Sequence, residues 1–113
     1  MTTVTQVQLV APMQLAGSDA TVYTVGTQTT VKIGRAVFIN TTASATTISA
    51  GITTGGALTA ATTLISARAI APGESYVSPE LAGAVIPAGS TLRGFAGSAA
   101  AVTFTASGAT IVQ

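Results

Sequence analysis

Three carboxylates are the only acidic side chains in this 113-residue chain, and they are the first candidates for chemistry. Glu74 and Glu80 form the closest pair, and two carboxylates can share the acid and base roles of a glycosidase. Their surroundings favour a structural interpretation. Glu74 closes a Pro-Gly turn, and Glu80 falls in the first turn of a short predicted helical segment, where acids interact well with exposed amides. We therefore predict no catalytic residue.

The chain contains no histidine and no cysteine. Without histidine it lacks the usual general base and the commonest metal ligand, and without cysteine it lacks a thiolate nucleophile and a disulfide scaffold. Asp19 lies far from the two glutamates in sequence, whereas calcium sites commonly cluster their carboxylates. A calcium site built mainly from carbonyls stays open as an alternative. The sequence predicts a protein that is not an enzyme and that uses no metal or cofactor.

Charged residues make up only 6% of the chain, against roughly 25% in soluble domains, and the formal net charge is +1. Such a surface has little electrostatic protection against self-association, so we expect partner subunits to cover much of it. A Thr/Ser/Gln surface that is well hydrated on its own is the alternative. The four basic residues are too few and too scattered to track phosphates, which argues against nucleic acid. With no run of about eighteen apolar residues, no membrane-spanning helix is expected.

The densest run of strand-forming residues is 30–40, which we predict to be a central strand. Val31, Ile33, Val37 and Ile39 share one parity, and Ala36 and Phe38 share the other. This pattern fits a strand that is covered on both faces, or one that changes face at a bulge near Gly34. The charges of Lys32 and Arg35 favour the second description, with the apolar part beyond the bulge buried.

About eight short strands, separated by turn signals roughly every ten residues, predict one all-β domain over 1–113. We expect an antiparallel β-sandwich of jelly-roll type. Residues 1–12 form either a strand of the same sandwich or an extended arm that adds a strand to a neighbour. Pro72-Gly73 predicts a type II turn, and Ser78 is the N-cap of one helical turn over 79–83. The other predicted strands are 20–25, 46–52, 64–70, 75–78, 91–96 and 101–106, with 109–112 continuing the last one.

Candidate contact residues for a partner or a second subunit come from the sparse charges, the tyrosines and the N-terminal segment. A cation in a central strand either points out of the sheet or pairs with a carboxylate across an interface, where it sets register and partner choice. Tyrosine offers an apolar body and a polar tip to a partner, although packing at the sandwich margin is the favoured explanation for both tyrosines. The candidates are Thr2, Thr3, Val4, Thr5, Gln6, Tyr23, Lys32, Arg35, Arg68, Tyr76 and Arg93.

Between about residues 18 and 112, the order of strands and turns resembles small virion proteins of tailed bacteriophages. The resemblance lies in Val22-Tyr23-Thr24-Val25, Thr30-Val31-Lys32-Ile33, Val37-Phe38-Ile39-Asn40-Thr41-Thr42, Leu64-Ile65-Ser66-Ala67-Arg68, Ala71-Pro72-Gly73-Glu74-Ser75 and Ile86-Pro87-Ala88-Gly89-Ser90-Thr91-Leu92. It implies a β-sandwich assembly protein, made in the host cytoplasm and located on the virion. The leading expectation is a capsid decoration (cement) protein: a homo-oligomer, with a trimer favoured, that stabilises the shell by binding the outer surface of the major capsid protein. The alternative is a head-fibre or tail-fibre attachment module that recognises a host-surface glycan or protein.

Overall fold

Nine β-strands make up the regular structure in the computed structural model, which describes residues 3–54, 56–59 and 61–112. The described residues include no helix that is long and apolar enough to cross a membrane. In chain order the strands are β1 (Thr3–Gln14), β2 (Ala20–Thr24), β3 (Thr29–Asn40), β4 (Thr46–Thr53), β5 (Thr63–Ile70), β6 (Ser75–Val77), β7 (Val85–Ile86), β8 (Thr91–Ala96) and β9 (Val102–Val112).

The strands form two antiparallel sheets. The five-stranded sheet has the order β1-β9-β3-β6, with β7 also paired to β3, and the four-stranded sheet has the order β2-β8-β4-β5. Apart from the two-residue β7, the strands pair from the ends of the chain inward: β1 with β9, β2 with β8, β3 with β6, and β4 with β5. This is the arrangement of a rolled antiparallel ribbon, a jelly roll. The predicted fold class, an antiparallel jelly-roll-like β-sandwich, is confirmed.

Apolar side chains from both sheets fill the space between them, with two phenylalanines at the centre. The rings of Phe38 and Phe104 lie 4.7 Å apart between centroids, and both side chains are almost fully buried. They sit directly opposite each other on β3 and β9, so the two longest paired strands hold the middle of the core together. The other largest buried apolar side chains are Leu15, Val25, Val31, Ile33, Ile48, Ile70, Leu81, Ile86 and Val102.

The central strand carries the predicted bulge. Ile33 is opposite Gly108, yet Arg35 is opposite Ser107, so Gly34 is an extra residue on the β3 side. Before the bulge the buried residues are Val31 and Ile33, and after it they have the opposite parity, beginning with Ala36 and Phe38. Of the two predicted descriptions, the strand that changes face at a bulge is therefore the one observed.

The fourth strand differs from its prediction. Alternation at residues 46–52 indicated a strand with one face in water or under a partner, but Ser49 and Gly51 are also buried. The chain itself covers that face. A Cβ atom added at Gly51 would overlap the carbonyl oxygen of Thr62, and Leu58 Cδ2 would lie 2.7 Å from it. The segment that precedes β5 thus folds back over β4, which local alternation does not reveal.

The predicted turns are present. Gly73 has φ of +72° and the N–H of Glu74 donates to the carbonyl of Ala71, as a type II turn requires. Ser78 Oγ accepts a hydrogen bond from the N–H of Leu81 at 3.1 Å, which is the capping contact expected of this serine. Residues 79–83 form a turn, as predicted, and not a longer helix. The strands predicted at 101–106 and 109–112 are one continuous strand, β9.

Candidate assembly interface

The bulge in β3 brings two cations to the same face. In a regular strand, Lys32 and Arg35 would point to opposite faces because their spacing is odd. With Gly34 as the extra residue, Lys32 is opposite Ala109 and Arg35 is opposite Ser107, and both point away from the core. Both are exposed. None of the hydrogen bonds or ion pairs found among the described residues uses either cation, so their charges are available to a partner.

Two shallow open grooves lie beside these cations on the outer face of the five-stranded sheet. The first, of about 570 Å³, is bordered by Lys32 and Gln6, and the second, of about 370 Å³, by Arg35 and Gln8. They share Ser107. Their floors consist of small residues, so a partner can approach the sheet backbone closely. The remaining lining residues are Val7, Gly34, Gly108 and Ala109 in the first groove and Val37, Thr105 and Ala106 in the second.

Three valines extend this outer face on either side of the cations. Val85 is paired with Lys32, Val77 with Val37, and Val4 with Ile111. Their exposed fractions are 52%, 48% and 63%, which is high for aliphatic side chains in strands. We call the outer face formed by these valines, the two cations and the two grooves the assembly face. It combines exposed aliphatic groups with two cations, and its lining includes no carboxylate among the described residues.

Arg93, a predicted contact residue for which pairing with a carboxylate across an interface was one of two alternatives, bonds instead to Asp19 of its own chain. Arg93 Nε donates to Asp19 Oδ1 at 3.0 Å, and Arg93 Nη1 donates to Thr21 Oγ1 at 2.8 Å. Asp19 Oδ2 also accepts the N–H of Leu58 at 2.8 Å. Burial raises the pKa of Asp19, but the Leu58 N–H and the Arg93 guanidinium outweigh it, so the pKa lies below its ordinary value. This pair fastens the segment before β5 to the second sheet.

We expect Asp19→Asn to cost about 1–2 kcal/mol of unfolding free energy at pH 7, because it removes the charge from a hydrogen-bonded pair that is mostly shielded from solvent. A carboxylate whose pKa is lower in the folded chain stabilises it above the unfolded pKa, 3.8, and loses that effect as pH falls through the folded pKa. The variant and the parent should therefore converge in strong acid. Urea unfolding at pH 7 and pH 2.5 tests this, and a difference that is the same at both values would contradict it.

Arg68, Tyr76 and Glu80 meet at the open side of the sandwich. The Arg68 guanidinium lies 4.0 Å from the centroid of the Tyr76 ring, and Tyr76 OH donates to Glu80 Oε1 at 2.6 Å. Burial and the neighbouring Glu80 raise the pKa of Tyr76, and the Tyr76 hydrogen bond lowers the pKa of Glu80. Since Arg68 is on β5 and Tyr76 on β6, the contact joins the two sheets. These predicted contact residues thus have partners within their own chain.

The other predicted contact residues divide between the first strand and the second. The side chains of Thr3, Val4, Thr5 and Gln6 are exposed along β1. Val4 and Gln6 belong to the assembly face, whereas Thr3 and Thr5 point to the opposite side of the sheet. Tyr23 is half-buried on β2 and packs against the core. Thr2 lies outside the described residues. The structure therefore brings Lys32 and Arg35 together with the first strand, whereas Tyr23, Arg68, Tyr76 and Arg93 lie elsewhere.

Sequence reasoning identified Val4 as a candidate contact residue but missed the other two valines of the assembly face. Val77 and Val85 are on strands of three and two residues, and only their pairing with β3 shows that they share a face with Lys32. In the part of the chain that the structure describes, no three acidic side chains come close enough to hold a metal ion. The assembly face offers a partner ion pairing, hydrogen bonding and aliphatic packing.

The fold places the chain among jelly-roll β-sandwiches, and three similar solved structures come from infectious bursal disease virus. A chain of the infectious bursal disease virus VP2 subviral particle matches with a TM-score of 0.56 and 18% sequence identity. The structure of the Gx strain of that virus matches with a TM-score of 0.59 and 15% identity. The crystal structure of its T13 viral particle matches with a TM-score of 0.60 and 12% identity.

These matches cover 98–99% of this chain but only 31–32% of the viral chains, so the chain spans about a third of their length. At this level of identity the likeness establishes a shared fold. No family model matches the sequence, and no curated protein matches it.

Proposed function

We propose that this chain is a non-enzymatic structural protein of a virus particle, and that it acts as a decoration (cement) protein on a tailed-bacteriophage capsid. The assembly face carries the proposal. It exposes three valines and two cations, beside grooves with floors of small residues. Neither cation makes a side-chain hydrogen bond or ion pair among the described residues. Aliphatic groups with few charges are the composition of an interface core, and such groups are seldom gathered on a free surface.

The fold supports the same proposal. Nearly the whole chain forms a jelly roll, and the structures it is similar to were solved from particles of a virus. The sequence resemblance to small virion proteins of tailed phages points to the same kind of assembly. The low content of charged residues also fits a protein whose surface is covered by other subunits in an assembly.

The proposed mechanism is a clamp on the outer surface of the shell. Lys32 and Arg35 would pair with carboxylates of the major capsid protein and so fix the orientation of the body. The small-residue floors would let partner side chains reach the sheet, and the valines would exclude water around them. By contacting neighbouring capsid subunits at once, the protein would resist the pressure of packaged DNA. The trimer favoured by the sequence resemblance stays a prediction.

The alternative is a module that recognises a host-surface glycan, but none of the aromatic side chains is exposed as such a site would require. Carbohydrate sites on β-sandwiches use exposed aromatic platforms. Here Phe38 and Phe104 are buried, and Tyr23, Tyr76 and Phe95 are half-buried. Phe38 and Tyr76 also stack on each other with 6.4 Å between ring centroids. A glycan-array screen that gives no specific binder agrees with the decoration role, and a specific binder would favour the fibre module.

Mass spectrometry of purified particles tests the proposed location. A decoration protein is expected in hundreds of copies per particle, counted against the major capsid protein. A handful of copies would place the chain at a tail or a vertex instead. Complete absence from particles, together with failure of the purified chain to bind capsids, would refute the structural role.

We expect the double variant Lys32→Gln with Arg35→Gln to bind capsids at least about tenfold more weakly, because both proposed ion pairs are removed. The control is Ser66→Glu with Ala69→Glu. It changes the net charge by the same amount but at exposed positions of β5, in the other sheet. Co-sedimentation with capsids lacking the protein gives the affinities. Equal losses in both variants would mean that net charge matters and the assembly face does not.

A further inference from the structure

The two sheets end in strands that differ greatly in how they are protected. A free strand edge displays unpaired backbone groups that can recruit another strand, and proteins block such edges with short strands, bulges, proline or charges. β6 has three residues, β7 has two and β2 has five. β5 is longer, but Ala67 has φ of +48° at a bulge and Arg68 follows it.

β1 lacks these protections over its first half. It has twelve residues, none of them charged, and its proline, Pro12, lies near the far end. Residues 3–8 are exposed and pair regularly with β9 on one side only. Within the described residues no strand pairs with the other side. The edge is about 20 Å of regular, uncharged strand with which no other described strand pairs.

We propose that two copies of this chain join along this edge, by antiparallel pairing of their β1 strands about a two-fold axis near Gln6. The two five-stranded sheets would then become one continuous sheet. The proposal concerns the contact between copies and stands independently of the virion role. It replaces the trimer that the sequence resemblance favours with a two-fold pair.

The sequence of β1 fits a second copy as the occupant. A two-fold axis perpendicular to the sheet keeps the same face of both copies on the same side. Centred on Gln6, it sets Gln6 opposite Gln6, Val4 opposite Gln8, and Thr5 opposite Val7. No like charges meet, because the segment has none. Valine and threonine side chains gain from cross-strand neighbours, and Gln6 amides can hydrogen-bond to each other across the axis.

The position of the second sheet leaves room for this pairing. Across β9, Thr5 is in line with Val31 and Val7 is in line with Ile33. The side chains of Thr5 and Val7 therefore point to the same side of the five-stranded sheet as these two core residues. Thr5 and Val7 are nevertheless exposed, so the four-stranded sheet does not cover this end. A second copy can therefore lie alongside without meeting the body of the first, and its Val7 would approach the Thr5 of the first.

Sedimentation equilibrium and a charge-swap pair test the proposal. The parent chain, with a mass of 11.0 kDa, is expected to form a dimer of twice that mass. Gln6→Lys alone and Gln6→Glu alone should each shift strongly towards the monomer, because like charges then meet at the axis. Mixing the two variants should restore a dimer containing one copy of each, which native mass spectrometry resolves. Ser66→Lys, on the bulged β5 edge, is the control and should remain dimeric.

Several outcomes overturn the inference. One is a parent chain that is monomeric or trimeric at tens of micromolar. Others are a Gln6→Lys variant as dimeric as the parent, or a mixture of the two variants that stays monomeric. If the parent is monomeric but Gln6→Lys still abolishes capsid binding, Gln6 contacts the capsid and not a second copy. Capsid binding without dimerisation would leave the decoration role intact.

Discussion

Gly108→Ala is expected to destabilise the protein by about 3 kcal/mol or more, and to prevent folding if β3 cannot move. A Cβ atom at Gly108 would overlap the carbonyl oxygen of Lys32, and it would lie 2.9 Å from Gly34 N and 3.0 Å from the Cα atom of Ile33. All three are backbone atoms of the neighbouring strand, so no side chain can rotate away to make room. The clash falls in the middle of the β3–β9 pair, which holds the centre of the core.

Gly34→Ala is the matched control, because Gly34 lies on the other side of the same bulge. Its added Cβ would sit 3.5 Å from the carbonyl oxygen of Ser107 and 3.6 Å from the Cα atom of Gly108, which are ordinary contacts. We expect this variant to stay within about 1 kcal/mol of the parent. Urea unfolding midpoints measure both. Equal destabilisation of the two variants would show that the bulge needs flexibility on both strands and that the overlap at Gly108 is not the cause.

Asn40→Ala is the second large effect, with an expected loss of about 3 kcal/mol. Asn40 is fully buried at the end of β3. Its Nδ2 donates to the carbonyls of Ser44 at 2.8 Å and Ile70 at 3.0 Å. Its Oδ1 accepts from the N–H and the hydroxyl of Thr42, at 3.0 and 2.7 Å. Truncation would leave the buried Ile70 carbonyl without this donor, at a place where water does not readily replace it, and would remove the acceptor of the Thr42 N–H. Thr42 Oγ1 and the Ser44 carbonyl would keep the hydrogen bond that they make to each other.

Asn40→Asp separates the two halves of this network. It keeps an acceptor for Thr42 but points a carboxylate at the two carbonyls that Nδ2 served, so the charged form is disfavoured and the pKa of the new acid is raised. A raised folded-state pKa means that the variant gains stability, relative to the parent, as pH falls through it. Thermal unfolding at pH 7 and pH 4 measures this. A variant as stable as the parent at pH 7 would show that the Nδ2 donors contribute little.

Much of the fold could be predicted because local sequence dictates it. Pro72-Gly73 sets its own turn, Ser78 caps the turn that follows it, and the β-branched residues between Val31 and Phe38 favour a strand that contributes to the core. What local pattern cannot show is which distant segment covers a face. Alternation left one side of β4 free, whereas the Thr62 carbonyl closes over Gly51.

The assembly face could be predicted only in part, for the same reason. Lys32 and Arg35 were identifiable because charges in a central strand need an explanation. Their shared direction depends on the register of β9, and two of the valines beside them, Val77 and Val85, are on strands of three and two residues that have almost no sequence signal. The Arg93–Asp19 pair joins residues 74 positions apart, so the sparse charges alone could not distinguish an internal pair from one between chains.

The bulge at Gly34 also has a consequence for sequence comparison. Without Gly34, every remaining side chain of β3 would keep its present face: Lys32 and Arg35 outward, Ile33 and Ala36 inward. The extra glycine is thus a one-residue insertion in an otherwise regular strand. In a chain with this fold that lacks the insertion, the equivalent strand would have the same alternation of buried and exposed residues but would be one residue shorter. An ungapped alignment would then match core positions with surface positions over half the strand, and related sequences would appear unrelated there.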